Sequence, residues 1–374
     1  MGAVQKLASA WHDTRHTLGH TVANRLFLDR QAEFWLRALD PAGSLSDIRA
    51  RVVDVLRETA DARTFVLRPN RHWRGHRAGQ WTRVEVEIDG ARTHRCYSIS
   101  SAPGEPQVSI TVKRVPGGRV SGWLHDHVRP GHVLGLSEAQ GDFVLPAEPA
   151  PRLLLLAGGS GITPMMSMLR ALAARNGLRD VVLVHHARRL DDVIFRDAID
   201  ALATAHPGLR RVWCLDDDPR GKGGFDEDQL AATVPDLAER EAFVCGPPAV
   251  MARVEAMWRA TGHAHRLHAE RFTAPSPLPV DALANEPAAR DVTVHLARSG
   301  RTLPVHTAGT LLDQLERAGE RPPSGCRMGI CRSCTCVKRA GTVRNALTGA
   351  ISSAPDEPIQ LCVSTPCTDV ELSL

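Results

Sequence analysis

Short runs in which polar residues alternate with apolar or β-branched ones fill the chain between residues 48 and 146. Examples are Arg83–Ile88, Gln107–Val112 and His132–Leu136. Asp-Gly, Pro-Gly-Gly and Pro-Gly turn sequences separate these runs. Closely spaced strands joined by such turns predict an antiparallel β-barrel.

The pattern changes at about residue 152. Continuous apolar runs at Leu153–Leu156, Val181–Val184 and Ala242–Cys245 are each followed by a helical pattern. Apolar strands that alternate with helices predict a parallel, doubly wound α/β sheet. A proline-rich stretch at 273–290 resembles a linker, and a last globular segment begins with the strand-like Val292–Leu296.

The N-terminal 45 residues precede the barrel pattern and are predicted to be helical. Their apolar residues recur at roughly helical spacing until Pro41, at positions Leu18, Val22, Leu26, Phe34, Trp35 and Leu39. Two interpretations stay open: a helix that caps the next domain, or a helix that docks on a partner or on a membrane surface.

Composition narrows the class of protein. The 374 residues are 43% hydrophobic and 24% charged, as in globular proteins, and no apolar run approaches the roughly 18 residues of a membrane span. The net charge of +4 and the scattered basic residues argue against a nucleic-acid partner. Because the N-terminus has no secretory signal pattern, we expect a cytoplasmic protein.

Six of the nine cysteines cluster near the C-terminus, which indicates metal binding rather than disulfides. Cys326, Cys331 and Cys334 follow the spacing C-x4-C-x2-C, and Cys362 comes after 27 further residues. This spacing predicts a plant-type [2Fe-2S] cluster with these four thiolate ligands. Zinc sites usually use paired C-x2-C knuckles, of which the segment has one. Cys336 and Cys367 fall outside the pattern and are expected to be structural thiols.

The loop Ser324–Cys334 resembles that of plant-type ferredoxins fused to a ferredoxin–NADP⁺ reductase-like module. A plant-type cluster has a potential of about −400 mV and carries single electrons. It cannot accept a hydride, so a flavin is expected upstream to convert two-electron chemistry into one-electron chemistry.

The sequence Arg95-Cys-Tyr-Ser98 resembles the R-x-Y-S flavin signature of that superfamily. The resemblance implies that Arg95 binds phosphate, that Tyr97 packs against the isoalloxazine, and that Ser98 hydrogen-bonds near flavin N5. Tyr97 is the only tyrosine in the chain.

A second stretch, from Lys113 to Ser121, is similar to the family's second flavin loop. Its Gly118, Val120 and Ser121 are expected to open a helix whose N–H groups bind the flavin pyrophosphate, with Lys113 at its start. FAD is favoured over FMN, although FMN enzymes have the same loop.

Two glycine-containing motifs resemble the family's nicotinamide site. The first, G-G-x-G-x-x-P, is formed by Gly158, Gly159, Gly161 and Thr163 with Pro164, between a strand and a helix. The second, Cys245-Gly246-Pro247, implies a cysteine close to the nicotinamide ring. Ser98 and Cys245 are thus the candidate catalytic residues, and Phe272 is a weaker candidate for a contact with the flavin.

The residues after the second predicted strand of the nucleotide domain indicate whether the coenzyme is NADPH or NADH. Arg188 and Arg189 suit a 2′-phosphate and favour NADPH, while the following Asp191 and Asp192 keep NADH open.

The resemblance divides the chain into five parts. They are an N-terminal helical extension (1–45), an FAD-binding β-barrel (46–148), an NAD(P)-binding doubly wound domain (149–272), a linker (273–290) and a β-grasp [2Fe-2S] ferredoxin domain (291–374).

The implied activity is an NADPH-dependent iron–sulfur flavoprotein reductase that passes electrons singly to a protein acceptor. The stretches 73–80 and 139–146 look most like reductases that serve membrane fatty acyl desaturases or hydroxylases, which implies peripheral membrane proximity through the partner. The alternatives are the reductase of a Rieske-type dioxygenase, a stand-alone NAD(P)H oxidase and a redox sensor. Basic residues on or near the cluster loop predict an acidic docking face on the acceptor: Arg327, Arg332, Lys338 and Arg339.

Overall fold

A computed structural model describes residues 29–88, 90–217, 225–272, 290–325, 327, 329 and 332–374. The predictions for residues 1–28, for most of the linker, and for Cys326 and Cys331 lie outside these residues. Among the described residues, no helix is long and apolar enough to cross a membrane.

The first helix, α1 (Asp29–Leu39), lies against the loop before the barrel through its polar side. Glu33 accepts hydrogen bonds from the Ser44 hydroxyl and the Leu45 backbone N–H, both at 2.8 Å. Phe34 and Trp35 are 64% and 58% exposed. The apolar side of α1 therefore points away from the described barrel.

Six antiparallel strands form the first sheet, in the order β4-β3-β6-β1-β2-β5. They are β1 (Ile48–Arg57), β2 (Ala62–Pro69), β3 (Trp81–Ile88), β4 (Ala91–Ser98), β5 (Val108–Lys113) and β6 (Val133–Leu136), with helix α2 (Arg119–His127) between the last two. A bridge between Ile99 and Ile110 brings β5 back to the end of β4 and nearly closes the barrel. Phe65, Val84 and Ile110 lie in its core.

Five parallel strands form the second sheet, in the order β11-β10-β7-β8-β9. They are β7 (Leu153–Gly158), β8 (Val181–Ala187), β9 (Leu209–Leu215), β10 (Glu241–Cys245) and β11 (Leu267–Glu270). The helices are α3 (Ile162–Ala173), α4 (Arg196–Ala205), α5 (Glu227–Thr233) and α6 (Pro248–Ala260). Every residue of β7 is buried, as expected for a strand covered on both faces. The strand order reverses between β7 and β10, where such sheets bind ligands.

The last sheet has the order β13-β12-β19-β14-β17, and a small sheet with the order β16-β15-β18 accompanies it. The strands are β12 (Asp291–Leu296), β13 (Arg301–His306), β14 (Thr335–Ala340), β15 (Val343–Asn345), β16 (Ile351–Ser352), β17 (Glu357–Gln360), β18 (Ser364–Pro366) and β19 (Val370–Leu372), and helix α7 spans Leu311–Arg317. Leu311, Leu312 and Leu315 of α7 are buried in the core of this unit. The predicted fold class, an antiparallel barrel followed by a parallel α/β sheet and a ferredoxin domain, is confirmed.

Candidate active site

Ser98 ends β4 with its side chain buried in the barrel. Its hydroxyl oxygen has no hydrogen-bond partner among the described residues. The neighbouring Tyr97 packs against the barrel core, and burial raises the pKa of its phenol above the ordinary value. A buried hydroxyl normally finds a partner, so the orphaned Ser98 Oγ fits a ligand atom such as flavin N5.

Arg95 lies two residues before Tyr97 on the same face of β4. Its Nη1 atom donates to the carbonyl of Gly325, at 3.2 Å, and to the carbonyl of His94, at 2.8 Å. Burial, reinforced by the nearby Arg327 cation, lowers the pKa of Arg95. A partly buried cation of this kind fits an anionic group, as predicted for a flavin phosphate.

The second flavin loop leads into α2, which begins after Gly118 without a side-chain cap. A Cβ atom at Gly118 would come within 2.6 Å of Ser121 Oγ. The Ser121 hydroxyl accepts a hydrogen bond from the Val115 N–H at 3.1 Å, and Val120 is buried. Backbone N–H groups at the start of α2 are therefore the donors that fit a pyrophosphate. Lys113 ends β5, with Nζ 3.4 Å from Asp61 Oδ2.

The two glycine motifs of the nucleotide domain meet at the carboxyl ends of β7 and β10. A Cβ atom at Gly161 would lie 2.0 Å from the Cys245 carbonyl oxygen, and one at Gly158 would lie 2.5 Å from Pro247 Cδ. A Cβ atom at Gly246 would lie 3.1 Å from the Gly158 Cα atom. Only glycine permits this packing, which places Cys245 beside the turn that opens α3.

The surface of this turn is open on the other side. Gly159 has a φ of +53° and no atom within 4 Å of an added Cβ, and α3 begins without a side-chain cap. Thr163 donates to the Ser160 carbonyl at 3.0 Å. An open glycine turn before uncapped N–H groups fits a dinucleotide pyrophosphate.

Glu270, to which the sequence analysis gave no role, is paired with Cys245 on the adjacent parallel strand β11. Burial raises the pKa of the Glu270 carboxyl to about 8, and its Oε2 atom has no hydrogen-bond partner among the described residues. Burial and the Glu270 carboxyl raise the pKa of the Cys245 thiol, which is therefore neutral. The sequence Glu270-Arg-Phe gave no signal for this role, because the pairing depends on the order of strands in the sheet.

Helix α3 also contacts the chain that follows the flavin signature. The Ser167 hydroxyl and the Arg170 guanidinium donate to the carbonyls of Ser101 and Ser100, each at 2.7 Å. These contacts fix the glycine turn at residues 158–161, here called the nucleotide turn, relative to Ser98. Sequence reasoning missed them because they join residues about 70 positions apart.

The buried His185 forms a hydrogen bond with the nucleotide turn. Its Nε2 atom is 3.0 Å from the Gly159 carbonyl oxygen, and burial lowers the pKa of the imidazole to about 4. The ring is therefore neutral and donates from Nε2 to that carbonyl.

The arginines predicted to select NADPH are exposed near the end of β8. Arg188 Nε is 3.1 Å from Asp192, and Arg189 Nε is 3.7 Å from Asp217. Phe272 packs against the hydrophobic core that contains Cys245. The binding roles of all these residues remain predictions.

Cys334 and Cys362, two of the four predicted cluster ligands, are buried in the ferredoxin domain. The N–H of Gly329, which has a φ of +75°, donates to Cys362 Sγ at 3.3 Å. The Cys362 N–H in turn lies 3.5 Å from Cys334 Sγ. Backbone N–H groups directed at cysteine sulfurs fit thiolate ligands of an iron–sulfur cluster.

The remaining cysteines and basic residues of this domain differ in exposure. Cys336 is buried, as expected for a structural thiol, and Cys367 is partly exposed. Lys338 is fully buried, so the expectation that it belongs to a docking face is wrong; its ammonium donates to the carbonyls of Gly341 and Ala354.

The described residues thus offer a buried hydroxyl at the end of β4, here called the flavin strand. They also offer an open glycine turn beside a neutral cysteine, and cysteine sulfurs that accept N–H hydrogen bonds. Three family models match the chain in the same order. They are an oxidoreductase FAD-binding domain over residues 49–145, an oxidoreductase NAD-binding domain over residues 155–256 and a 2Fe-2S iron-sulfur cluster binding domain over residues 294–367.

Curated relatives align with most of the chain. The chain is 36% identical to an NADPH oxidoreductase of Mycobacterium tuberculosis over 369 residues, which covers 97% of this chain and 93% of the relative. It is 34% identical to the glycine betaine monooxygenase reductase subunit of Pseudomonas aeruginosa, covering 86% of this chain and 93% of that one. The chain therefore belongs to the family of NAD(P)H-dependent flavoprotein reductases that carry FAD and a C-terminal [2Fe-2S] domain.

A solved structure supports the same conclusion. Phthalate dioxygenase reductase superposes with a TM-score of 0.62 and 27% identity over 88% of this chain and 98% of that one. The predicted reductase class and cofactors (FAD, NAD(P)H and a [2Fe-2S] cluster) are confirmed.

Proposed function

We propose that this reductase takes its hydride from NADPH and delivers electrons one at a time, through the C-terminal cluster, to the iron centre of a separate oxygenase component. The observation that carries the proposal is the hydrogen bond between Arg95 of the flavin strand and Gly325, which directly precedes Cys326. When bound, the flavin supplies the conversion of a hydride into single electrons.

The chain's own residues position the reactants. The contacts of Ser167 and Arg170 with the Ser100–Ser101 backbone hold the nucleotide turn near Ser98. A neutral Cys245 and a protonated Glu270 next to the glycine turn keep negative charge away from the proposed nicotinamide position. These residues orient a hydride donor and need not exchange protons with it.

Three relatives support an oxygenase as the acceptor. Reductase subunits of glycine betaine monooxygenase and of stachydrine N-demethylase align with the chain, and phthalate dioxygenase reductase shares its fold. Arg332 is exposed two residues before Cys334, whereas Arg327 is paired with Glu316 at 2.7 Å. Arg339 is also exposed, but it donates to the Ser373 hydroxyl and lies farther along the chain from Cys334, so Arg332 is the basic residue best placed to meet an acidic acceptor surface.

The test measures anaerobic reduction of a purified Rieske-type oxygenase component by the NADPH-reduced enzyme at several salt concentrations. We expect Arg332→Glu to slow this transfer several-fold and to flatten its salt dependence. Arg321→Glu, a charge reversal at another exposed position, is the matched control. No transfer to the oxygenase from the wild-type enzyme would overturn the proposed acceptor, while leaving the reductase chemistry intact.

A membrane fatty acyl desaturase or hydroxylase is the second candidate acceptor. One observation favours it: α1 presents Phe34 and Trp35 to solvent, and exposed aromatic residues of this kind suit a membrane interface. Cosedimentation with vesicles that contain anionic lipid tests the candidate. We expect wild-type protein to pellet and a Phe34→Ser/Trp35→Ser variant to stay in the supernatant; equal behaviour of the two would remove this support.

A further inference from the structure

The ferredoxin domain contacts the barrel sheet on both of its faces, through one residue of β4 and one of the neighbouring strand β3. Successive side chains of a strand point to opposite faces, so Arg95 and Cys96 lie on different sides of β4. Arg95 reaches the Gly325 carbonyl on one side. On the other side lies Arg83, which is paired with Cys96 across β3 and β4 and donates from Nη1 to the Ser333 hydroxyl at 3.0 Å.

The two contacts involve Gly325 and Ser333, which lie near the two ends of the cluster-loop sequence and are both among the described residues. Strand β4 stands at one end of the sheet order, next to β3. Ser333 directly precedes Cys334, a predicted cluster ligand, and Arg83 directly precedes Val84 of the barrel core. One side-chain hydrogen bond thus connects strand β3 of the barrel to the neighbour of a predicted cluster ligand.

The Arg83 side chain is separable from the barrel's own stability. Its backbone is held by Ser137, whose N–H donates to the Arg83 carbonyl at 2.9 Å and whose hydroxyl accepts from the Arg83 N–H at 3.0 Å. The guanidinium takes no part in either bond. Its removal should therefore leave the strand in place and affect the contact with Ser333.

We propose that Arg83 is a positioning residue that holds Ser333, and with it the adjacent Cys334, against strand β3 of the flavin barrel for electron transfer between the two cofactors. The proposal depends on the reductase chemistry of the family and not on which acceptor the enzyme serves. A hydrogen bond from a charged donor to a partly buried hydroxyl is among the stronger ones. Its loss should therefore measurably lower the fraction of molecules in which Ser333 and its neighbours lie against the barrel.

The experiment uses the full-length holoenzyme with Arg83→Gln and Ser333→Ala, and with Arg92→Gln as matched control. Arg92 lies on the same face of β4 as Cys96 but faces Glu87 and makes an exposed ion pair with Glu85. Two quantities are measured: hydrogen exchange of the segment 332–340, and the rate of cluster reduction after rapid mixing with NADPH. FAD and iron content are determined for each variant.

We expect Arg83→Gln and Ser333→Ala each to accelerate exchange in that segment and to slow cluster reduction by roughly fivefold, with the control like wild type. The double variant should be no worse than either single one, because both remove the same bond. Ser333→Thr, which keeps the hydroxyl, should restore both quantities. Wild-type exchange and cluster reduction in both single variants would overturn the proposal, as would additive effects in the double variant.

Discussion

Glu270 and Cys245 occupy paired positions on the parallel strands β11 and β10, at the end of the sheet where the glycine turn lies. Burial raises the pKa of both groups, to about 8 for the carboxyl. The pair is therefore uncharged at neutral pH, beside the turn proposed to bind the coenzyme.

Glu270→Gln should imitate the protonated carboxyl. The infrared difference spectrum of wild type minus Glu270→Gln at pH 7 should contain the C=O band of a protonated carboxylic acid. This band should disappear as the pH rises through about 8. Glu138→Gln, at an exposed position, should show no such band. A carboxylate band already at pH 6 would contradict the assignment.

The same group makes stability depend on pH. Between the ordinary glutamate pKa and about 8, the folded protein holds a proton that the unfolded chain has lost. The contribution of Glu270 to the free energy of unfolding should therefore fall with rising pH, by about 1.4 kcal/mol per pH unit, and level off above pH 8. Relative to wild type, Glu270→Gln should gain stability from pH 5 to 8 in thermal or chemical unfolding; a constant difference would argue against the raised pKa.

Removal of the orphaned hydroxyl at Ser98 tests its predicted role near flavin N5. Ser98→Ala should retain FAD but slow flavin reduction by NADPH roughly tenfold in rapid mixing, since one ligand hydrogen bond is lost. Ser100→Ala is the control, because that hydroxyl bonds Ser109 at 2.8 Å and serves the barrel. Ser100→Ala should lower the melting temperature and leave the rate of flavin reduction near wild type. A slowed rate in Ser100→Ala and a wild-type rate in Ser98→Ala would contradict a role for Ser98 at the flavin.

A methyl group at Gly161 should disrupt the nucleotide turn. Its Cβ would lie 2.0 Å from the Cys245 carbonyl, so Gly161→Ala must shift the backbone of both motifs. We expect loss of NADP⁺ affinity by calorimetry and destabilisation of about 1–3 kcal/mol. Gly122→Ala in α2, where an added Cβ meets no atom, should be neutral or stabilising.

Coenzyme preference should depend on Arg188 and Arg189. Their guanidinium groups are exposed; Arg188 pairs with Asp192 and Asp61, and Arg189 with Asp217, so a 2′-phosphate would replace these carboxylates as their partner. Arg188→Ala/Arg189→Ala should lower kcat/KM for NADPH roughly tenfold or more and leave that for NADH near wild type. Arg196→Ala, nearby on α4, is the control. An equal loss with both coenzymes would contradict a role in phosphate recognition.

Much of the fold was predictable from local patterns. Strand β7 is buried on both faces, so its sequence is a continuous apolar run. Strand β3 is buried mainly on one face, so apolar and polar residues alternate along Arg83–Ile88. Lys338 was misplaced because lysine is rarely buried. In β14 it shares the buried face with Cys336, where backbone carbonyls satisfy its ammonium.

The motifs of the site were predictable, but its positioning contacts were not. Arg95, Ser98 and Cys245 belong to short sequence signatures. Glu270 and Arg83 gain their positions from strand pairing and from a contact between domains, which no local pattern encodes.

The most direct measurement is an anaerobic titration of the purified protein with NADPH, followed by visible absorption and by EPR. We expect bleaching of flavin absorption together with the appearance of a reduced [2Fe-2S] signal, because FAD, coenzyme and cluster share one electron path. A cluster that dithionite reduces but NADPH does not, in protein with full FAD and iron content, would contradict this expectation.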